Sequence, residues 1–446
     1  MKPIRITLWA LMLGLSVLWI AANLPLPETL TIFTIRHLLV QYSGVLGIGA
    51  MSVAMILAVR SPKVERWLNG LDKSYRLHKW LGMTALVMSI FHWLWVNGPK
   101  WAVSWGLLEP RKRQHHKDGL PDLGAVQQFF NSQREMAEML GEWAFYVAVA
   151  LLAIALIKRI PYRFFAATHT LIAIVYLVLV FHAAVLMDFD AWTQPVGLVT
   201  ALLMAGGVVA AAFALTRQIG RSRQVPGQIA ALRQFPSMKV TEIKVAMGKG
   251  WPGHEAGQFA FVTFDRKEGA HPFTIASSWD PATRSITFIS KALGDYTQRL
   301  PKALAVNDGV TVEGPYGRFT FDDSKDRQIW IGAGIGITPF IARLKHMAAT
   351  GDGKRIDLIH TVPKIAPEPK ALLEADAAAA GVKLHLMRDQ EDGLLSGARL
   401  REMLPDWSKA SVWFCGPAAF GEVLRRDLIA HGLRPADFHQ EMFNLR

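Results

Sequence analysis

Six apolar runs fill the first half of the chain, at residues 4–22, 37–59, 80–96, 140–157, 164–187 and 196–215. Each approaches the ~20 residues that a helix needs to cross the hydrocarbon of a bilayer. The first run has Lys2 and Arg5 ahead of it and the small residues Ala21-Ala22 at its end, so it has the makings of a secretory signal as well as of a retained span. A retained span is the reading adopted. After Arg217 the pattern changes. The stretch RQIGRSRQVPGQ is polar and turn-rich, and short β-like runs follow, among them GQFAFVTF from Gly257 and SITFIS from Ser285. From Arg327 an apolar strand, a glycine-rich turn and a helix-like segment lead into further strand and helix alternation. The pattern predicts a six-helix transmembrane bundle, then an antiparallel β-barrel domain, then an α/β domain with a parallel sheet. The expected boundaries are 1–218, 219–325 and 326–446. There are no internal repeats, and the alanine-rich stretch at 375–380 reads as helix.

Composition supports the membrane half. The chain has 446 residues, enough for two or three domains, and 51% of them are hydrophobic. Its mean hydropathy is +0.21. The net charge of +13 has the magnitude of a nucleic-acid binder, but the basic residues sit between and just after the apolar runs. Arg60, Lys63, Arg66, Lys73 and Arg76 follow the second run; Lys158, Arg159 and Arg163 follow the fourth; Arg217, Arg221 and Arg223 follow the sixth. All three groups fall on one side of a six-span chain, together with the N-terminus. That side is expected to be the cytoplasm, in an inner (plasma) membrane, with both termini inside. The charge is therefore read as topology, with a lipid bilayer and no nucleic acid as partner. The basic segment at residues 111–117 is an exception on the outer side, where Asp188 and Asp190 also lie. Cys415 is the only cysteine. It excludes an intrachain disulfide framework and any cysteine-ligated zinc or iron–sulfur site built from this chain alone.

Four histidines stand out within the apolar runs, where an ionisable ring is costly and marks function by default. The stretch LHKWLGMTALVMSIFH carries His78 and His92, fourteen positions apart. On an ideal helix they are about 40° short of a common direction and separated by a rise of about 21 Å. The stretch THTLIAIVYLVLVFH repeats the arrangement with His169 and His182, thirteen apart, a rise of about 19.5 Å. Both runs go outward from the cytoplasm, so His78 and His169 should lie level near the inner face and His92 and His182 near the outer one. Two pairs of imidazoles at matched depths suit two stacked haems, each iron taking one nitrogen from each helix. One difficulty is geometric: on an ideal helix His182 points about 140° away from His169, so tilt, overwinding or a different approach angle has to make up the difference. Zinc fits poorly, because ligands some 20 Å apart cannot share one ion. His37 and the pair His115-His116 match no such pairing and read as interface or loop residues. Arg60 and Arg76 are placed either to neutralise haem propionates or to anchor the inner face.

In the second half, IWIGAGIGITPFIA runs from Ile329 to Ala342. Gly332, Gly334 and Gly336 would let the backbone approach a diphosphate at the positive end of the following helix. Ile337 replaces the third glycine of a dinucleotide fingerprint, while Thr338-Pro339 suits a helix start.

With these motifs in view, the part from about Val225 onward resembles the ferredoxin–NADP reductase family. The whole chain resembles the fused ferric reductase and NADPH oxidase family, especially its bacterial single-chain members. HPFTIASS resembles the family's flavin strand, which implies FAD contacts from His271, Pro272, Phe273, Thr274 and Ser277. GDYT is similar to the segment that binds the FAD diphosphate, which implicates Gly294 and Thr297. GAGIGITPF is similar to the nicotinamide-nucleotide loop, and FCGP resembles the motif beside the nicotinamide. These imply nucleotide contacts from Gly332, Gly334, Gly336, Thr338, Pro339, Cys415, Gly416 and Pro417. QEMFNLR offers Phe443 where relatives place an aromatic ring against the flavin, with Glu441 nearby, so Cys415, Glu441 and Phe443 are the candidate catalytic residues. LDKSYRLHK and the histidine spacings resemble the family's haem helices. At the end of the next strand the chain reads HTVPK, with Thr361 and Lys364 as the candidate ribose-end contacts and no arginine. Either NADPH or NADH is therefore expected.

The resemblance implies a transmembrane oxidoreductase carrying FAD and two haems b, passing electrons from cytoplasmic NAD(P)H to a small-molecule acceptor on the outer side. Dioxygen, giving superoxide, is the first expectation and a ferric chelate the second. The basic stretch at 111–117 suits an anionic chelate as well as plain solvation. A third reading is a membrane-anchored flavoreductase serving a protein or quinone partner. No obligatory protein partner is expected.

Overall fold

The computed structural model describes residues 2–110, 124–157, 159–351 and 353–441. The chain forms two compact units. One comprises residues up to Val64 together with Lys73–Ile219; the other comprises Gly220 onward together with Glu65–Asp72.

The first half is helical throughout: α1 (Lys2–Ala22), α2 (Ile32–Ala58), α3 (Pro62–Leu68), α4 (Leu71–Ser104), α5 (Ala125–Ser132), α6 (Arg134–Leu156), α7 (Tyr162–Leu186) and α8 (Pro195–Leu215). Six of these, all but the short α3 and α5, are long and apolar enough to cross a membrane. Their ends follow local chemistry. Thr31 caps α2 by accepting the Thr34 amide at 3.2 Å, and Pro195 opens α8 with a residue that has no N–H to lose. Inside the bundle, small residues allow close approach. Ala137, Gly141, Ala144 and Ala148 form a buried stripe on α6. Tyr176 of α7 is fully buried and bonds to Ser52 of α2 at 2.8 Å and to the Met204 carbonyl of α8 at 3.3 Å. A methyl group at Gly207 would lie 1.9 Å from that hydroxyl.

The second half holds β1 (Gln224–Phe235), β2 (Val240–Met247), β3 (Phe259–Thr263), β4 (His271–Thr274), β5 (Ser285–Lys291), α9 (Asp295–Ala303), β6 (Gly309–Tyr316), β7 (Arg327–Ala333), α10 (Thr338–Thr350), β8 (Arg355–Val362), α11 (Pro367–Ala379), β9 (Lys383–Arg388), α12 (Asp389–Asp392), α13 (Gly397–Met403), β10 (Ser411–Cys415), α14 (Ala418–Ala430) and β11 (Phe438–Gln440). Strands β1 to β6 form an antiparallel six-stranded sheet in the order β4-β3-β6-β1-β2-β5. Alternating burial along β2 and β5 turns one face to a core built on Ile229, Ile243, Val245, Ile286 and Phe288. Strands β7 to β11 form a parallel sheet in the order β11-β10-β7-β8-β9. β7 and β10 are buried along their whole length, as the covered interior strands of a parallel sheet must be. The architecture is the one expected: apolar helices, an antiparallel sheet domain, then a parallel α/β domain.

Candidate functional site

The four membrane histidines form two facing pairs. His78 of α4 and His169 of α7 have ring centroids 5.8 Å apart at 67°. His92 and His182, on the same two helices, are 6.2 Å apart at 73°. An imidazole nitrogen bonds a metal at about 2 Å and lies roughly 1.1 Å from its ring centre, so two rings flanking one metal have centroids about 6 Å apart. Both pairs meet that test.

The second nitrogen of each ring tells the same story for three of the four. His78 Nδ1 donates to the Ala54 carbonyl at 2.8 Å and His182 Nδ1 to the Ala137 carbonyl at 2.8 Å. His92 Nδ1 donates to the Val40 carbonyl at 3.0 Å, with Ser43 Oγ at 3.2 Å. A carbonyl can only accept, so these rings carry their proton on Nδ1 and leave Nε2 as a free lone pair, the tautomer of a metal-ligating histidine. His169 is oriented differently: its Nδ1 is buried without a hydrogen-bond partner, and its ring stacks on Phe165 at 5.1 Å.

The 140° phase difficulty is met by the angle of approach. His182 lies in a notch of α6, where a Cβ at Gly141 would fall 1.9 Å from its Nδ1. A cavity of about 550 Å³ adjoins the His92–His182 pair, and Arg36, Lys100, Arg134, Glu138 and Glu142 also line it. The Arg36 Nε is buried with no hydrogen-bond partner. His37 bonds to Asp188 at 3.0 Å. Among the described residues no cluster of three or more His, Cys, Asp or Glu side chains could hold a bare metal ion. Residues 111–117, with His115-His116, lie outside the described residues.

In the second unit the residues of the flavin-like motifs converge. His271 to Thr274 form β4, the sheet's edge strand. The His271 ring stacks on Tyr296 of the GDYT segment at 3.9 Å and 15°. Thr297 Oγ1 accepts the Leu293 and Gly294 amides at 3.0 and 3.1 Å, which fixes the turn that opens α9. Ser277 Oγ accepts the Thr287 amide at 3.1 Å. Phe273 is buried against Phe264 and Phe288, so its ring belongs to the core. The sequence reading missed His254, whose Nε2 donates to the Ser277 carbonyl at 2.9 Å between Trp251 and Trp279. Burial holds His254 down to about 4, so it stays neutral near neutrality.

The glycine turn follows β7 directly. Gly334 has a left-handed φ of +58°, and a Cβ at Gly336 would lie 2.2 Å from the Cys415 carbonyl oxygen. Side chains are thus excluded where the two glycine loops meet. Thr338 is buried and donates its hydroxyl to Ile335 O at the start of α10, with Pro339 beside it. Gly416 and Pro417 follow Cys415 at the end of β10, which pairs with β7 through Gly332. Cys415 is fully buried; burial, and secondly the charge of Glu441, push its thiol well above the usual range. A thiol so placed favours its protonated form. Glu441 is also buried. Thr361 is buried in β8, and His360 beside it donates Nδ1–H to the Gly332 carbonyl at 2.8 Å, another contact the sequence did not announce. A cleft of about 260 Å³ is bordered by Gly334, His360 and Val362 on one side and Thr287 and Lys291 on the other. Phe443 lies outside the described residues.

With this geometry, comparison with known proteins gives two matches in the order of the chain. Residues 43–180 match the ferric reductase like transmembrane component, a span that contains His78, His92 and His169. Residues 228–320 match an FAD-binding domain, a span that contains all of the flavin-motif residues from His271 to Thr297. The chain joins a ferric reductase-like membrane domain to an FAD-binding domain. Relatives of this ferric reductase-like chain include the respiratory burst oxidase homolog protein E of Arabidopsis thaliana, 27% identical over 43% of this chain and 22% of the relative. The ferric reduction oxidase 5 of the same plant is 37% identical over 17% of this chain and 12% of the relative. The glycine betaine monooxygenase reductase subunit of Chromohalobacter salexigens is 24% identical over 42% of this chain and 55% of the relative. The chain therefore spans about half or less of the length of these three.

Proposed function

We propose that this protein is an NAD(P)H-dependent transmembrane oxidoreductase that carries electrons through FAD and two haems b to dioxygen on the outer side, giving superoxide. The observation that carries the reading is the pair of histidine couples at 5.8 and 6.2 Å on the same two helices. His78 and His169 would hold the inner haem, His92 and His182 the outer one. When bound, flavin and haem supply the conversion of a hydride into single electrons and their passage across the bilayer.

The chain's own residues bind and orient. The Ala54, Val40 and Ala137 carbonyls fix three imidazole tautomers. Gly141 makes room for the fourth-span side of the outer couple. Arg36, with its unpaired buried Nε in the cavity wall, suits a propionate. In the second unit His271, Pro272, Thr274, Ser277, Gly294 and Thr297 form the flavin side, with the Phe273 ring behind them in the core. Gly332, Gly334, Gly336, Thr338, Pro339, Thr361, Lys364, Gly416 and Pro417 form the nucleotide side, with the neutral Cys415 and Glu441 where the two meet. We divide the chain at 218 and 325 on this basis. The basic groups after the second, fourth and sixth spans support an orientation with both termini in the cytoplasm and the spans in a plasma membrane. Each electron then moves outward against or with the membrane potential at ~2.3 kcal/mol per 100 mV.

A ferric chelate is the rival acceptor, favoured by the likeness to the ferric reduction oxidase. Purified protein given NAD(P)H in air separates the two. Brisk oxygen uptake supports the oxidase reading; brisk reduction of ferric citrate with oxygen uptake near zero replaces it with the reductase reading.

A further inference from the structure

The cleft beside the glycine turn holds a hydrogen-bond acceptor where a second phosphate would need a cation. In an open parallel sheet a nucleotide lies beyond the carboxyl ends of the strands. With its diphosphate on the turn after β7, the adenine ribose would fall at the end of the neighbouring strand β8. There stands His360, buried and lining the cleft beside Val362. Its Nδ1 donates to the Gly332 carbonyl at 2.8 Å, so Nε2 keeps a lone pair. Burial lowers its pKa against the pull of that carbonyl and of Asp389, which leaves the ring neutral near neutrality. Such a ring accepts a hydroxyl proton and has no donor left for a phosphate oxygen.

The cations of the cleft are engaged. Arg233 of β1 bonds to Glu368 and lies over the Phe235 ring at 5.2 Å. Lys345 of α10 pairs with Asp376 at 3.4 Å. Both carboxylates belong to α11, and Glu242 of β2 also lines the cleft. Lys291 of β5 is close enough to His360 to lower its pKa, a position that suits the diphosphate. Lys364 is exposed beyond β8 and is not among the described residues that border the cleft. A 2′-phosphate brings a charge of about −1.5 to −2. Here it would meet the lone pair of His360 and two acids of α11. Each ion pair is partly exposed and weak by itself, but a phosphate that drew the cation away would leave a carboxylate beside its own charge.

We infer that this cleft selects NADH over NADPH: His360 Nε2 accepts the 2′-hydroxyl of the adenine ribose, while Glu368 and Asp376 withhold Arg233 and Lys345 from a 2′-phosphate. The inference rests on the NAD(P)H reading above and names which of the two coenzymes the site takes.

The test uses full-length protein with its flavin bound, mixed anaerobically with NADH, NADPH or the 2′-deoxyadenosine analogue of NADH while flavin bleaching is followed. In wild type the second-order efficiency with NADH should exceed that with NADPH by about tenfold or more, the worth of one hydrogen bond to a charged group. The deoxy analogue should fall about threefold to tenfold below NADH, the worth of one neutral hydrogen bond. His360→Ala should weaken NADH and bring it level with the deoxy analogue, an outcome that a purely structural role would not give. As a readout without turnover, calorimetric titration should find ADP-ribose bound more tightly than its 2′-phosphate by about tenfold. If His360→Ala loses its flavin, Glu368→Gln is read in its place; by releasing Arg233 it should lower the NADH-to-NADPH ratio about threefold. NADPH used as well as NADH, a deoxy analogue as good as NADH, or unchanged discrimination in the variant that is read overturns the selectivity alone. A flavin that neither coenzyme bleaches overturns the NAD(P)H reading, and the selectivity with it.

Discussion

At Gly141 the haem hypothesis depends on the absence of a single methyl group. A Cβ there would sit 1.9 Å from His182 Nδ1, and overpacking of this kind costs about 1–3 kcal/mol. Gly141→Ala should push His182 out of line with His92 and leave the His78–His169 couple intact. The haem-to-flavin ratio of the purified variant should fall by about half, since displaced ligands cost metal affinity tenfold or more; a wild-type ratio would show that Gly141 does not seat a ligand. His254 supplies a prediction of another kind. Burial lowers its pKa to about 4, against about 6.5 in an unfolded chain. The unfolded state therefore binds the proton first as pH falls, and stability is lost between those values at up to about 1.4 kcal/mol per pH unit. Chemical denaturation of wild type and His254→Gln at pH 7 and pH 5 should show a smaller loss in the variant. Neither residue was legible beforehand. Gly141 is one glycine in an apolar run, and His254 becomes informative only when Ser277 is folded onto it.

At the level of the helix, periodicity read the spans well and their phase less well. The third run was expected at 80–96, yet α4 extends over Leu71–Ser104, because hydropathy marks the lipid-buried part of a helix and not its polar ends. The phase of His182 follows from how α6 and α7 pack. The small residues Ala137, Gly141, Ala144 and Ala148 let α7 lie close, and the ring enters between them. That is a property of two helices together, which the sequence of either alone does not contain. Tyr176 illustrates the same level. Its hydroxyl links α2 and α8 through Ser52 and Met204, at the middle of a helix on which His169 and His182 flank it. Tyr176→Phe keeps the packing and removes the bond, at a net cost of about 0.5–1.5 kcal/mol. Thermal unfolding in detergent should shift down modestly with the haem spectrum unchanged; a lost spectrum would mean that Tyr176 acts on the haem sites as well.

Across the whole molecule, the change from long apolar runs to short alternating ones made the division into helical, antiparallel and parallel parts legible, and the three parts fold as that pattern requires. The polar network at the start of the interior strands β7 and β10 was not legible. Asp323 there accepts bonds from Ser411, Lys354, Gln328 and Trp413. Although burial works against it, those bonds hold its carboxyl down to about 2, and Asp357, bonded to His385 and Arg327, is likewise depressed. A depressed carboxyl stabilises the fold above its unfolded pKa of about 3.9 and loses that stabilisation as pH falls toward its native value. Flavin fluorescence followed from pH 5 to pH 2 should report release below about pH 4, and Asp323→Asn should flatten that stretch of the curve. The histidine ladder remains the feature on which the proposed function turns, since its four rings pair across two helices. The absorption spectrum of the full-length protein after dithionite reduction tests it directly. A two-haem conduit predicts a b-type α-band that disappears when His78 and His92 are both changed to Ala. A spectrum without that band, or a band unchanged in the double variant, contradicts it.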